Sequence, residues 1–344
     1  MTQVRTDVRV LGDRYGRVAR DLRMSLTDRC NLRCSYCMPA EGLAWLPTED
    51  TLTDAEVVRL LRVAVETLGV HTIRFTGGEP LLRRSLEQIV AAASALRTPD
   101  GQAPELSLTT NGIGLDKRAA GLAAAGLTRV NVSLDSLNRE RYARIARRDR
   151  LPDVLAGLAA ADAAGLHPVK VNAVAMRGLN EDDIVPLAAF CLARGYRLRF
   201  IEHMPLGPEH AWDRTTMVPA TEILAALATR FTLTPAGQRG AAPAEEWLVA
   251  ASDDHPAGRI GVIASVTRPF CADCDRTRVT ADGQIRTCLF ARTETDLRGP
   301  LRAGASDDEL AAIWQGAHHT KAAGHGIDAP GFTQPDRGMS AIGG

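Results

Sequence analysis

Residues 22–37 read LRMSLTDRCNLRCSYC and combine an alternating run with three closely spaced cysteines. Apolar and polar residues alternate over 22–27, which predicts a β-strand with one apolar and one polar face. Cys30, Cys34 and Cys37 follow that strand at once, with three and then two residues between them. Thiolates ligate zinc and iron–sulfur clusters, so this stretch predicts a metal site directly after a strand.

Three thiolates are one fewer than a closed structural zinc site uses, and they leave one iron of a four-iron cluster open to a non-protein ligand. The nearest following histidine, His71, is separated from Cys37 by a whole predicted helix. A zinc knuckle completed by a distant residue and three unrelated thiols are the alternatives at this point.

Strand-like runs alternate with helical patterns from about residue 20 to residue 228, as in βα units around a parallel sheet. Thr53 and Glu56 form a capping box that predicts the start of the first helix, and Gly69 predicts its end. The predicted strands cover residues 22–27, 72–76, 106–110, 129–135, 169–175 and 196–203.

One face of these strands is apolar and the other is polar. Both faces of a parallel sheet are normally covered, and a polar face is costly when it packs without water. We therefore predict an α/β fold with a curved sheet that encloses a wet, ligand-filled lumen; an open sheet with one solvated face is the alternative. The polar face carries Arg23, Ser25, Thr27, Arg74, Thr76, Ser107, Thr109, Asn131, Ser133, Asp135, Lys170, Asn172, Arg197 and Arg199.

The pattern changes near residue 232, so we predict a first domain over 1–230 and a smaller C-terminal domain over 231–344. Strand-like runs occupy 246–250 and 259–265, and residues after about 320 are predicted to extend along a surface, ending in two glycines. The C-terminal histidines at 318, 319 and 325 are interpreted as tail or loop residues without chemistry.

A second set of three cysteines lies in the C-terminal part of the chain. Zinc is a serious alternative for this set, because Asp273 or His255 would complete four ligands. Arg276 and Arg278 sit at alternate positions of one run and present planar forks suited to phosphate, although a solvated charged strand is the simpler interpretation of two such arginines. The second set comprises Cys271, Cys274 and Cys288.

Composition narrows the class of protein. Lys plus Arg equals Asp plus Glu at 41 each, which argues against a general binder of nucleic acid or anionic membranes. No unbroken apolar stretch is long enough for a membrane span or a signal peptide, so we expect a cytoplasmic protein.

Only three residues are lysines, which makes Lys170 an unusual choice of residue. Cys191 is expected to be a buried apolar residue.

The segments CNLRCSYC at 30–37 and FTGGEP at 75–80 resemble the signature of the radical S-adenosylmethionine enzymes. That resemblance implies an incomplete (β/α)6 TIM-like barrel and a 4Fe–4S cluster held by the first cysteine set. In this superfamily the open iron chelates S-adenosylmethionine, which is cleaved to a 5′-deoxyadenosyl radical. The resemblance assigns contacts with S-adenosylmethionine to Tyr36, Gly78, Ser133 and Met204.

Nearly the whole chain resembles the GTP 3′,8-cyclase family of molybdenum cofactor biosynthesis, from the segment at 22–39 through SVTRPFCADCDRTRVTADGQIRTCLF at 265–290 to MSAIGG at 339–344. This implies that the second cysteine set holds another 4Fe–4S cluster, whose open iron is ligated by guanine, rather than zinc. It also implies a tail, Gly343-Gly344, that reaches the active site. The implied catalytic residues are the first three cysteines with Arg276 and Arg278. The implied GTP contacts are Arg23, Arg74, Thr109, Lys170, Arg276, Thr277 and Arg278, with Arg199 as a further candidate on the same face.

The same resemblance implies GTP as substrate, a reductant protein and a downstream pyranopterin-forming enzyme as partners, with no nucleic acid or membrane; a homodimer is one option for the oligomeric state. Two other functions remain open. One is another radical S-adenosylmethionine enzyme with an auxiliary cluster, such as one that modifies a peptide, although such enzymes typically carry more than three C-terminal cysteines. The other is a zinc-binding regulatory or nucleic-acid-binding protein.

Overall fold

A single mixed sheet organises the chain, of which the computed structural model describes residues 9–208 and 212–343. Its centre is formed by six neighbouring parallel strands that follow one another in chain order, each connected to the next through helices. A small antiparallel hairpin precedes them, β1 (Leu11–Gly12) and β2 (Val18–Ala19). The six strands are β3 (Asp21–Ser25), β4 (Thr72–Thr76), β5 (Glu105–Thr110), β6 (Arg129–Ser133), β7 (Lys170–Ala175) and β8 (Arg197–Glu202).

The C-terminal part of the chain adds strands to both edges of this same sheet. β11 pairs in parallel with β8, and β12 pairs in parallel with β3. Antiparallel strands extend each edge further, so the order is β14-β13-β12-β3-β4-β5-β6-β7-β8-β11-β10-β9. These strands are β9 (Leu233–Pro235), β10 (Glu245–Val249), β11 (Gly258–Ile263), β12 (Arg276–Val279), β13 (Gln284–Arg286) and β14 (Thr295–Asp296).

Helices cover the outer face of the sheet. The predicted capping box at Thr53 and Glu56 is present, and the helix it begins continues as a π-helical turn over Val63–Thr67 before Gly69, whose φ of +67° ends it. The helices are α1 (Asp54–Arg62), α2 (Leu86–Ser94), α3 (Leu115–Ala124), α4 (Arg139–Ala146), α5 (Leu151–Ala163), α6 (Ile184–Ala193), α7 (Ala220–Ala228), α8 (Arg298–Arg302), α9 (Asp307–His319) and α10 (Met339–Ile342).

All six predicted barrel strands are confirmed, with ends that shift by at most two residues. Their apolar side chains are fully buried under the helices, as at Leu22 and Ile73. The polar face is enclosed too, since Arg23 is 6% exposed, Arg74 is 7% exposed and Asn131 is fully buried. The alternative of an open sheet with a solvated polar face is therefore wrong.

The strands of residues 231–344 belong to the same sheet as the barrel strands, because β12 and β11 hydrogen-bond to β3 and β8. Two expectations for this part of the chain need correction. His318 and His319 lie in α9 rather than in a loop, and the His318 side chain is fully buried. The end of the chain is not extended along a surface: Met339–Ile342 form a helical turn, and Ile342 is fully buried.

Glu202, at the end of β8, joins the two parts of the chain. Its buried carboxylate accepts hydrogen bonds from the backbone N–H groups of Ala220, Val266 and Thr267, each at 2.8 Å. These donors belong to the start of α7 and to the segment after β11, so one side chain fixes both next to the barrel. In the described parts of the chain, no helix is long and apolar enough to cross a membrane.

Replacing Glu202 with alanine would leave the backbone N–H groups of Ala220, Val266 and Thr267 without acceptors, the first two of them buried. We expect Glu202→Ala to lower the free energy of unfolding by about 3 kcal/mol, measured by urea denaturation followed by circular dichroism. The matched control is Glu222→Ala, which removes an exposed ion pair with Arg177 and should cost less than about 1 kcal/mol. Equal losses in the two variants would contradict this role for Glu202.

Candidate active site

The first cysteine set lies in the loop that follows β3. Cys30, Cys34 and Cys37 line one cavity, and the backbone N–H of Cys37 donates to the carbonyl of Cys34 at 2.9 Å, which closes a turn between the second and third thiols. The cavity is also lined by Leu32, Tyr36, Thr76, Gly77, Gly78, Thr109, Thr110, Asn111, Ser133, Asp135, Tyr142, Ala146, Met339 and Ser340.

Two glycines after β4 allow the backbone to approach the cysteine loop closely. A Cβ atom on Gly77 would lie 2.3 Å from the carbonyl oxygen of Thr27, and one on Gly78 would lie 2.3 Å from that of Asp28. Gly77 also has a φ of +145°, in the region that favours glycine. The FTGGEP segment is therefore packed backbone against backbone with the residues that lead into Cys30.

Burial and nearby negative groups determine the pKa values of the first three thiols. Burial, followed by the charge of Asp135 and the neighbouring thiols, raises the pKa of Cys34 well above its usual value, and burial raises the pKa of Cys37 to about 12. Three partly buried thiols on one cavity, each with a raised pKa, are thus protonated in the bare protein, and a cationic metal cluster would convert them to thiolates. This donor set fits a 4Fe–4S cluster that takes three protein ligands and keeps one iron open.

Asp135, which sequence reasoning placed on the polar face without a role, lies at the same cavity. The Tyr36 hydroxyl donates to Asp135 Oδ2 and the backbone N–H of Val174 donates to Oδ1, both at 2.9 Å. Burial raises the pKa of Asp135 to about 6. Both carboxylate oxygens are therefore engaged, and Asp135 holds the Tyr36 side chain in place beside the cysteines.

Cations from several strands face the lumen with few anions among them, and all of them are buried except Lys170, which is partly buried. Arg23 pairs with Asp21 at 3.0 Å, which is the one ion pair made by this set within the described residues. Arg199 instead donates to the amide oxygens of Asn172 and Asn131, and Arg74 donates to Ser107 Oγ. The set comprises Arg23, Arg74, Lys170, Arg199, Arg276 and Arg278, which we call the lumen cations.

Lys170 shows the electrostatic consequence of this crowding. Burial, followed by the charges of Arg199, Arg129, Arg74 and Arg197, lowers the pKa of its ammonium group to about 7. Burial also lowers the pKa of Arg199 to about 9. The lumen cations therefore repel one another, and a polyanion bound among them would relieve that repulsion.

The second cysteine set lines a separate cavity. Cys271, Cys274 and Cys288 share it with Arg276 and Arg278, so thiols and lumen cations meet here. Burial opposes ionisation of Cys274, but the charges of Lys321 and Arg276 lower the pKa of its thiol below the usual value. The remaining lining residues are Met204, Ser265, Pro269, Phe270, Thr287, Leu289, Phe290 and His325.

Neither residue proposed as a fourth zinc ligand reaches the second cavity. His255 packs against the ring of Phe231 with centroids 5.0 Å apart, and its Nδ1 lies 3.1 Å from the carbonyl oxygen of Pro256. Asp273 is exposed and does not line the cavity. His325 also lines the cavity, but its Nε2 lies 2.9 Å from the carbonyl oxygen of Ser265 and its Nδ1 accepts the backbone N–H of Ile327 at 3.1 Å. The three cysteines are thus the donor set here as well.

Thr277 is predicted as a GTP contact, and its side chain lies on the opposite face of β12 from the two arginines. Side chains alternate along β12, so Thr277 points away from the face that carries Arg276 and Arg278. Its hydroxyl accepts a hydrogen bond from Trp314 Nε1 at 3.0 Å, and both residues are fully buried in the core.

Met204 was predicted to contact S-adenosylmethionine, but it lines the second cavity and not the first. It packs against the apolar cluster of Met217, Val266 and Ile327. Thr109, predicted as a GTP contact, instead lines the first cavity beside Ser133. Cys191 is fully buried within α6, as predicted.

The C-terminal segment connects the two cavities. Met339 and Ser340 line the first cavity, and the backbone N–H of Ser340 is directed at Cys37. The carbonyl oxygen of Gly343 accepts a hydrogen bond from Arg278 Nη1 at 2.6 Å. Gly343 has a φ of +76°, and a Cβ atom on it would lie 2.0 Å from Ser25 Oγ, so this position favours glycine; Gly344 lies outside the described residues.

Comparisons with known proteins agree with this fold and define its family. Residues 24–191 match the model of the radical SAM superfamily, and residues 196–327 match the model named Molybdenum Cofactor Synthesis C. The fold resembles that of Streptococcus suis SuiB bound to S-adenosylmethionine, with a TM-score of 0.58 and 15% identity over 87% of this chain and 68% of that one. The chain is a radical S-adenosylmethionine enzyme, which implies S-adenosylmethionine and a 4Fe–4S cluster as cofactors.

Curated relatives define the family more narrowly. The chain is 65% identical to a GTP 3′,8-cyclase of Corynebacterium glutamicum over 98% of this chain and 90% of that protein. It is 61% identical to a GTP 3′,8-cyclase of Mycobacterium marinum over 96% of this chain and 91% of that protein. This chain therefore belongs to the GTP 3′,8-cyclase family.

The lowered pKa of Lys170 makes a prediction about stability and pH. Between about pH 7 and the ordinary lysine pKa of 10.5, the unfolded chain binds a proton at Lys170 that the folded chain does not. The destabilisation of the folded chain by the charged Lys170 side chain is therefore full below pH 7, and it disappears as the pH rises towards 10.5. We expect Lys170→Met to be most stabilising near pH 6.5, with an advantage that shrinks by pH 9.5.

The measurement is urea denaturation of the cofactor-free chain at several pH values in phosphate-free buffer. Lys117→Met is the matched control, because Lys117 is exposed on α3 and should give a difference that does not depend on pH. A pH-independent difference for Lys170→Met would show that this lysine keeps an ordinary pKa.

Proposed function

We propose that this chain converts GTP to 3′,8-cyclo-7,8-dihydro-GTP, the first step of molybdenum cofactor biosynthesis, using S-adenosylmethionine and two 4Fe–4S clusters. One observation carries the proposal beyond family membership: the five arginines of the lumen cations are buried and Lys170 is partly buried, and within the described residues Asp21 is the one carboxylate that pairs with them. Buried charges need counter-charges, and a triphosphate supplies several at once. Guanidinium groups also match the geometry of phosphate oxygens.

The first cavity is the proposed site for S-adenosylmethionine. Cys30, Cys34 and Cys37 would hold the first cluster, which together with S-adenosylmethionine supplies the one-electron chemistry that removes a hydrogen atom from the ribose of GTP. Gly78 and Ser133 line the same cavity and are proposed to contact S-adenosylmethionine. Tyr36 is a further proposed contact and is held beside them by its hydrogen bond to Asp135. Met204 is proposed to approach S-adenosylmethionine from the side of the second cavity.

The second cavity is the proposed site for the guanine base. Cys271, Cys274 and Cys288 would hold the second cluster, with one iron open to the base. Arg276 and Arg278 project from β12 next to this cavity and are proposed to bind phosphate. Arg23, Arg74, Arg199 and Lys170 extend the same positive charge along the lumen, and Thr109 lies at the first cavity, where the ribose would pass.

Enclosure is the protein's main contribution to the reaction. GTP anchored by its base at the second cavity and by its phosphates on the lumen cations would present its ribose towards the first cavity. Holding reactants in place lowers the barrier, and a closed site protects reactive species from water. The segment Met339–Gly343 lines the first cavity and accepts a hydrogen bond from Arg278 of the second, and it is proposed to complete this enclosure.

The proposed chemistry needs partners. A reductant protein would supply electrons to the first cluster, and a pyranopterin-forming enzyme would take up the reactive product. The equal numbers of acidic and basic residues support an enzyme that binds neither nucleic acid nor anionic membranes, and its proposed location is the cytoplasm. A homodimer remains one option for the assembly.

The test of this function is anaerobic reconstitution of the full chain with iron and sulfide. We expect about eight irons per chain, and release of 5′-deoxyadenosine on addition of reductant and S-adenosylmethionine that depends on GTP and not on ATP, CTP or UTP. Mass spectrometry should detect the cyclic product. Four irons, bound zinc, or 5′-deoxyadenosine release without nucleotide preference would overturn the proposal.

Side chains alternate between the two faces of β12, so this one strand supplies both the test variants for the phosphate contacts and their control. We expect Arg276→Ala and Arg278→Ala each to weaken GTP binding at least tenfold, because each removes a charge-assisted contact of about 1.5–3 kcal/mol, while S-adenosylmethionine binding is unchanged. Thr277→Val is the matched control, since that side chain faces Trp314, and its affinity for GTP should stay within twofold. Isothermal titration of the reconstituted proteins measures both affinities, and unchanged GTP affinity in both arginine variants would refute this placement.

A further inference from the structure

Lys321 lies directly behind the second cysteine cavity, two residues after the end of α9. It is one of only three lysines in the chain, and its side chain is buried, with 3% of the residue exposed. Its Nζ donates to the carbonyl oxygen of Arg276 at 2.7 Å and to that of Cys274 at 3.2 Å. The same Nζ lies 3.4 Å from Cys274 Sγ, within hydrogen-bonding distance of a sulfur acceptor.

These three contacts match the three N–H donors of an ammonium group. The two carbonyl oxygens belong to Cys274 and Arg276, at the start of β12. Because Cys274 also carries the sulfur, these two hydrogen bonds fix the position of Nζ relative to it. The remaining N–H is thereby directed at Cys274 Sγ. A lysine side chain is flexible in water, but here it is held in one place against one cysteine.

The charge of Lys321 has no carboxylate partner within the described residues, unlike that of its neighbour Arg17. Arg17 pairs with Asp13 at 2.5 Å, and it donates to the carbonyl oxygen of Cys271 at 2.6 Å and to that of Ala322 at 2.7 Å. Arg17 therefore secures the same loop with a neutralised charge. Lys321 keeps an uncompensated positive charge, and an anionic thiolate is the counter-charge closest to it.

We propose that Lys321 is a positioning residue that raises the reduction potential of the second cluster through its charge and its N–H···S hydrogen bond to Cys274. This inference rests on the proposed function, which places a cluster on Cys271, Cys274 and Cys288. Reduction adds one electron from an external low-potential donor and increases the negative charge on the cluster, and a fixed ammonium group stabilises that charge. No other bond changes in this step.

The experiment uses the full chain carrying Cys30→Ala, Cys34→Ala and Cys37→Ala, so that only the second set can hold a cluster. Iron content is measured first, and the midpoint potential is then measured by dithionite titration followed by electron paramagnetic resonance. In this background we expect Lys321→Met and Lys321→Gln to retain four irons. Their equilibrium constant for one-electron reduction should fall at least tenfold, which corresponds to 59 mV.

The choice of variants separates charge from structure. Lys321→Gln keeps a hydrogen-bond donor but no charge, Lys321→Arg keeps the charge, and Lys117→Met removes an exposed lysine far from the cluster. We expect Lys321→Arg to shift the potential less than Lys321→Gln does, and Lys117→Met to leave it unchanged.

Each remaining outcome is decisive. A full iron content with an unchanged potential in Lys321→Met and Lys321→Gln would overturn the inference. Loss of iron in both variants would also overturn it, because Lys321 would then have a purely structural role. If the background chain with Lys321 intact binds no cluster, the proposed function itself fails. That result is distinct from failure of the inference.

Discussion

The rest of this structure depends on the enclosure of positive charge. Arginines and a lysine from β3, β4, β7, β8 and β12 point into one lumen, where neutral amides and hydroxyls replace most of the counter-ions that buried cations normally have. Water cannot stabilise these charges fully, and they depress one another's pKa values, as at Lys170. Such an arrangement persists because the apolar face of the same strands is packed under helices, and because the fold is made to receive an anionic ligand.

The two cysteine sets differ in their electrostatic surroundings although they have the same number of thiols. The first set is partly buried beside Asp135, and both burial and that negative charge raise the pKa of Cys34. The second set adjoins Arg276, Arg278 and Lys321, and these cations lower the pKa of Cys274 in spite of burial. Two clusters of one type would therefore experience different fields, which is consistent with one site that reacts and another that binds substrate.

The C-terminal part of the chain acts as an extension of the barrel at both edges. Pairing of β12 with β3 sets Arg276 opposite Asp21 and Arg278 opposite Arg23, which brings the second cysteine set next to the barrel lumen. Glu202 secures the other edge through backbone N–H groups of α7 and of the segment after β11. The final residues then run between the cavities to Arg278. The active site is thus assembled from segments far apart in sequence.

The sequence by itself determined the six barrel strands, the polar face, the first helix and the two groups of thiols, because these depend on local alternation, capping and spacing. Only the tertiary structure decided that Thr277 faces Trp314, that Met204 adjoins the second cavity and that Met339–Ile342 form a helical turn. It alone also brought Asp135 into contact with Tyr36, and Lys321 into contact with Cys274. The reason is that these outcomes follow from the pairing of β12 with β3 and from contacts between residues distant in the chain. No local pattern encodes the register or the neighbours that such pairing creates.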